Sequence, residues 1–178
     1  MKKSLILILI FILLIFASYL KAQTFSDFTL PDVDGNDITL GKSSVFDKSL
    51  ITRGDEQNEG CVMLSFWATW CGPCKEEMKK MNDIYIKYKD KGFEYYAINI
   101  DDQKTIAKVK SFVNAHDFAF TVLLDLDKKV FESYGGKENE VPYSVLINSK
   151  KEIFAKHLGF VSGDEVKIEE EIKKILEN

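Results

Sequence analysis

The chain reads as an α/β domain on a mixed central sheet, and three observations point there. Val62 to Phe66 is a short apolar run, apolar positions then recur at Met78, Met81, Ile84, Tyr85 and Tyr88, and Phe93 to Ile100 is strand-like again. Strand, helix and strand in that order form a βαβ unit with parallel strands. Hairpin signals on either side of this unit add antiparallel strands. With 178 residues, 46% of them hydrophobic and 29% charged, the chain has material for one domain plus an extra segment.

At the N-terminus Met1-Lys2-Lys3 precedes thirteen apolar residues from Leu5 to Ala17. That length suits a signal-peptide core, whereas a spanning helix takes about 20 residues. Residues 1–22 therefore read as a signal peptide ending at Ala22 or, because Leu20 is large for a cleavage site, as an uncleaved anchor that tethers the protein through residues 4–20. Either way the domain is expected outside the cytoplasm, in a periplasmic setting. Loss of Lys2, Lys3 and Lys21 with this segment takes the net charge from −4 to −7.

Residues 23–178 are assigned to the folded domain. Phe28-Thr29-Leu30 and Asp37 to Leu40 flank Asp34-Gly35-Asn36, a turn signal that predicts a hairpin. Residues 41–60 are polar and charged and read as an insertion before the Val62 strand, either a solvated surface loop or a partner-binding loop. Cys61 follows it and reads as a small buried hydrophobe rather than a third redox centre. Beyond the βαβ unit, Ile106, Val109, Phe112 and Val113 predict a helix over 105–116, Phe120 to Leu124 a strand, and Asp125 to Tyr134 a short helix. Pro142 opens the next strand, where its missing N–H is tolerated. Lys151 to Leu158 supplies a hairpin partner, and Ile168, Ile172, Ile175 and Leu176 mark one face of a final helix over 164–176.

The chemistry lies where the first βαβ strand gives way to its helix, at Trp70-Cys71-Gly72-Pro73-Cys74. Pro73 fits a first helical turn, so the cysteines sit at a helix N-terminus. Unpaired amides and the helix dipole there favour a thiolate, lowering a cysteine pKa from about 8.5 to roughly 3.5–7.5. Cys71 is the expected attacking thiol, and Cys74, three residues on and deeper, the resolving one. A zinc site would need a second cysteine pair, and neither His116 nor His157 has ligand spacing to this one. No metal or cofactor is expected.

Phe66-Trp67-Ala68-Thr69-Trp70-Cys71-Gly72-Pro73-Cys74 resembles the thioredoxin active-site segment, and from about Phe25 to the C-terminus the chain is similar to extracytoplasmic thioredoxin-like proteins of the TlpA/ResA type. The resemblance implies a thioredoxin-like three-layer sandwich with an N-terminal hairpin, and thiol-disulfide oxidoreductase activity. It makes Pro142 a cis-proline facing the cysteine pair, with Val141 offering backbone groups to an extended substrate and Trp70, Gly72 and Pro73 completing the binding surface. Thioredoxins carry a buried Asp at the position of Ser65, so that proton acceptor is missing here. A Glu at the place of Glu77 contributes to the active site in the TlpA/ResA type; from the sequence alone, Glu77 is either that acid or a solvent-facing helix residue like Glu76. Gly72-Pro73 is the dipeptide of strongly reducing thioredoxins. Expected partners are therefore protein thiols and disulfides, including apocytochrome c thiols, with electrons from a membrane thiol donor.

Other classes fit less well. A net charge of −4 without a basic stripe argues against nucleic acid. A thiol peroxidase would resemble the Pro-x-x-x-Thr/Ser-x-x-Cys signature, but Ala68 precedes Cys71 by three residues and Leu64 stands where the proline would be. A disulfide oxidant or isomerase shares the dithiol chemistry and differs in direction. A non-catalytic binding module would have no use for both cysteines.

Overall fold

The computed structural model describes residues 24–41 and 60–177; the predicted signal segment and residues 42–59 of the predicted insertion lie outside these. In chain order the strands are β1 Phe28–Pro31, β2 Asp37–Leu40, β3 Cys61–Trp67, β4 Phe93–Asn99, β5 Thr121–Leu124, β6 Tyr143–Ile147 and β7 Ile153–Leu158. The helices are α1 Gly72–Tyr88, α2 Ile106–His116, α3 Lys129–Ser133 and α4 Asp164–Leu176.

β1 and β2 form the predicted antiparallel hairpin. Its turn is held by Asp32, whose Oδ1 accepts the amides of Asp34 at 2.8 Å and Asn36 at 2.9 Å. The remaining strands form one sheet in the order β5-β4-β3-β6-β7. β3, β4 and β5 run parallel, while β6 runs antiparallel to β3 and β7 to β6. All seven residues of β3 are buried, as expected for a central strand covered on both faces.

Alternate side chains of β3 point to opposite layers. Ser65 meets Glu77 of α1, and the Trp67 ring lies 5.3 Å from that of Phe112 on α2. Two consecutive right-handed crossovers in the same direction put α1 and α2 on this one face. α4 joins them, burying Ile168, Ile172, Ile175 and Leu176, each worth about 1.5–3 kcal/mol. Its Glu169 accepts from Lys87 Nζ at 2.7 Å and Tyr88 Oη at 2.8 Å, both on α1. On the other face Phe66 packs against Phe131 of α3, ring centroids 5.3 Å apart, and against Tyr134, which in turn touches Phe25 and Phe28. The result is the three-layer α/β sandwich with its N-terminal hairpin.

Two elements are shorter than the periodicity suggests, and local hydrogen bonds explain both. Gln103 to Thr105 forms a 3₁₀ turn because the Asp102 side chain accepts the Lys104 amide, so α2 starts at Ile106. Asp125 accepts the amides of Val130 and Phe131, which confines α3 to five residues.

Candidate active site

The site is assembled at the C-terminal end of β3. Asp101, buried just past β4, accepts the Thr69 amide at 2.7 Å and Asn99 Nδ2 at 2.9 Å, while the Cys71 amide donates to the Ala68 carbonyl at 3.0 Å. These bonds fix the path of the loop that delivers Cys71 to the start of α1. Cys71 is the N-cap residue of that helix, and its Sγ accepts the Cys74 amide at 3.2 Å. The sulfur thus occupies the place where a helix N-terminus favours negative charge. Cys71 and Cys74 are joined in a disulfide with Cα atoms 5.4 Å apart. Cys71 keeps 4% exposure and Cys74 has none, so Cys71 lies nearer the surface of the two.

The predicted binding residues lie on the segment that carries this pair and at the start of β6. Trp70 is 61% exposed, and Gly72 and Pro73 are exposed in the first turn of α1. The register Phe66↔Tyr143 brings the start of β6 alongside the end of β3, so Pro142 lies at the level of Trp67. The Val141-Pro142 bond is cis, Val141 is half-buried, and the Pro142 carbonyl accepts the Gly159 amide at 2.8 Å. Cys61 is buried and free, with burial pushing its thiol up to about 12, which leaves it unreactive at neutral pH.

Glu77 is the buried alternative of the two open to it, 2% exposed and one helical turn beyond Cys74. Burial pushes its carboxyl up to about 7; hydrogen bonds from Ser144 and Ser65 pull the other way, and the charge of Asp164 adds a small further rise. Ser144 Oγ donates to Oε1 at 2.6 Å and Ser65 Oγ to the same oxygen at 3.2 Å. Glu77 Oε2 is buried without a hydrogen-bond partner, and the buried Tyr95 hydroxyl lies beside Ser65. Ser144, Tyr95, Asn99 and Asp101 were not singled out from the sequence. The signal for the two serines was the single polar residue in each of two otherwise apolar strands. Among the described residues no group of three or more His, Cys, Asp or Glu could hold a metal ion.

The sequence profile of the AhpC/TSA family matches residues 22–156. The chain belongs to the AhpC/TSA family. Its similarity to named relatives of this thioredoxin-like group is extensive. It is 33% identical over 165 residues to the thiol-disulfide oxidoreductase ResA of Bacillus thuringiensis, covering 89% of this chain and 91% of that one. A crystal structure ascribed to the thiol:disulfide interchange protein DsbE of Chlorobium tepidum superposes with TM-score 0.70 at 31% identity, covering 88% of this chain and 97% of that one. A solution structure ascribed to a protein disulfide isomerase of Bacteroides thetaiotaomicron gives 0.71 at 27% identity, covering 88% and 90%. This AhpC/TSA member is accordingly a thiol-disulfide oxidoreductase with a thioredoxin-like fold.

Proposed function

We propose that this oxidoreductase acts outside the cytoplasm as a reductant of protein disulfides, through the Cys71 and Cys74 dithiol. The observation that carries the reading is Cys71 Sγ at the N-cap of α1, separated from buried Cys74 by Gly72-Pro73 alone. In the reducing cycle the Cys71 thiolate attacks one sulfur of a substrate disulfide, and the other sulfur leaves as a thiolate. Glu77 then takes the Cys74 proton. The Cys74 thiolate attacks Cys71 Sγ, the bond from Cys71 to substrate breaks, and the second substrate sulfur leaves with its electron pair. Two electrons have moved, and Cys71 and Cys74 are oxidised. A membrane dithiol donor restores them.

Glu77 suits this task because a carboxyl near 7 exchanges a proton at neutral pH, and because the i, i+3 spacing makes it a helix-face neighbour of Cys74. Trp70, Gly72, Pro73, Val141 and Pro142 form the substrate surface, where an extended segment pairs with the Val141 backbone in a β-like manner and side-chain discrimination is weak. Apocytochrome c thiols are one substrate class of the right chemistry. Export rests on Lys2, Lys3 and the apolar run from Leu5 to Ala17.

The direction is tested by equilibrating the protein in graded thiol buffers and trapping free thiols. Reducing thioredoxins lie near about −270 mV and strong oxidants near about −120 mV, a gap of roughly 7 kcal/mol for two electrons. A potential at or below about −250 mV is expected. A value between about −120 and −180 mV would make the protein an oxidant or isomerase and overturn the assignment.

A further inference from the structure

We propose that Ser144 and Ser65 are positioning residues that anchor Glu77 by Oε1 and leave Oε2 as the oxygen that receives the Cys74 proton. The inference rests on the reading of Glu77 as proton acceptor and adds to it the division of labour between the two oxygens.

Ser65 on β3 and Ser144 on β6 are direct cross-strand partners, both buried, with Oγ atoms 3.2 Å apart. A buried hydroxyl is costly unless it is hydrogen-bonded, and each strand is otherwise apolar at this level. The two hydroxyls converge on one atom of a third element, Glu77 Oε1 on α1. At 2.6 Å the Ser144 bond has the length of an O–H donor to a carboxylate. Each serine has one proton to donate, and a carboxylate only accepts, so both hydroxyls stabilise the ionised form when they donate to Oε1. The second oxygen is left without a partner in the buried cluster. Besides the serines, Glu77 has Cys74 three residues earlier on its own helix and feels the charge of Asp164 at the start of α4, and its own charge is felt by Tyr95 on β4. Of these groups Cys74 is the one whose proton must leave during turnover. Donors from two strands converge on Oε1, and because the strands are paired to each other and cannot move independently, that oxygen is held in place. Ser144 also lies two residues after Pro142, so the strand that shapes the substrate surface is the strand that holds the acid.

The test follows resolution directly. Reduced protein mixed with one equivalent of a chromogenic aromatic disulfide releases one thiolate as the mixed disulfide forms on Cys71 and a second as Cys74 resolves it. The rate of the second release is recorded against pH, beside an NMR titration of the Glu77 carboxyl. Ser144→Ala removes a donor to the carboxylate, so the midpoint of both profiles moves up by about one pH unit; resolution is roughly fivefold slower at pH 7 and unchanged well above the midpoint. Ser65→Ala, which removes the longer bond, gives a smaller shift in the same direction and serves where Ser144→Ala fails to fold. Ser144→Thr keeps the hydroxyl and restores the wild-type midpoint. Unmoved midpoints, or a loss of rate equal at every pH, overturn the positioning role. Glu77→Gln separates the two readings. If Gln leaves the profile of the second release as in wild type, the proton-acceptor reading itself fails; if Gln abolishes the ionisation and Ser144→Ala leaves it in place unshifted, the positioning role fails alone.

Discussion

Replacing Glu77 by Gln should change how stability depends on pH, by an amount the structure allows to be worked out. The carboxyl ionises near 4.5 in an unfolded chain and near 7 in the folded, oxidised protein, chiefly because burial opposes its charge. Below pH 4.5 it is neutral in both states and costs nothing. Between 4.5 and 7 the folded state binds more protons than the unfolded one, so stability falls as pH rises. Above 7 both states are ionised and the full cost of about 3 kcal/mol is present. Gln reproduces the neutral acid in shape, with an oxygen to accept from Ser65 and Ser144 and a nitrogen in place of Oε2. Its contribution is therefore independent of pH. Glu94 and Asp125 also have raised carboxyls, but they are common to both proteins and cancel in the difference. The assay is urea unfolding at several pH values from 4 to 8.5, with both proteins carrying Cys61→Ala so that no free thiol attacks the disulfide in the unfolded chain. The variant should gain on wild type by about 3 kcal/mol across the range. A constant difference would refute burial as the force on Glu77, and with it the case for this residue as a proton acceptor at neutral pH.

Cys61→Ala itself should lower stability by about 1–2 kcal/mol through lost packing at the start of β3, while leaving the potential of the Cys71 and Cys74 couple unchanged. A shifted potential would bring Cys61 into the redox chemistry. Gly136→Ala should be more harmful than its size suggests, because a Cβ there would overlap the ring of Phe131, which is buried against Phe66. Overpacking of this kind costs about 1–3 kcal/mol, a fall of roughly 2–10 °C in Tm by calorimetry; an unchanged Tm would mean that the α3 turn yields freely.

The fold was legible wherever a pattern is local. The apolar spacing of Ile168, Ile172, Ile175 and Leu176 marks the buried face of α4, and Asp34-Gly35-Asn36 marks the turn between β1 and β2. The cysteine pair was legible for the same reason, since a thiol at a strand-to-helix junction is a statement about neighbours in sequence. What escaped was every contact that closes over a long stretch of chain. Asp101 sits in an Asn-Ile-Asp-Asp run that looks like an ordinary strand end, yet its carboxylate holds Thr69, 32 residues earlier. Ser144 is separated from Glu77 by 67 residues, and a lone serine in Tyr143–Ile147 does not change the reading of a strand. The alternatives for Glu77 stayed open in sequence because Glu76 and Glu77 are equivalent in composition, and the helix phase alone leaves a glutamate beside Met78 unexplained. Packing against the two serines decides its burial.

The placement of the acid has a further logic. Where thioredoxins set an Asp on the central strand, this chain has Ser65, and the carboxylate comes instead from α1 at Glu77. Glu77 is a buried carboxyl one helical turn beyond Cys74. Keeping an Asp at position 65 together with Glu77 would bring two carboxyls within hydrogen-bonding distance, given that Ser65 Oγ already lies 3.2 Å from Oε1, and like charges that close suppress each other's ionisation. A hydroxyl at the same place does the opposite, because it donates to the carboxylate and favours its charge. Moving the acid from strand to helix thus changes what the strand must supply: an acceptor is no longer wanted there, and a donor is. Ser65 and its cross-strand partner Ser144 meet that requirement from both neighbouring strands at once. The same reasoning places the acid with the cysteines, since Cys71, Cys74 and Glu77 belong to one helix terminus, while two paired strands hold its carboxyl through Ser65 and Ser144.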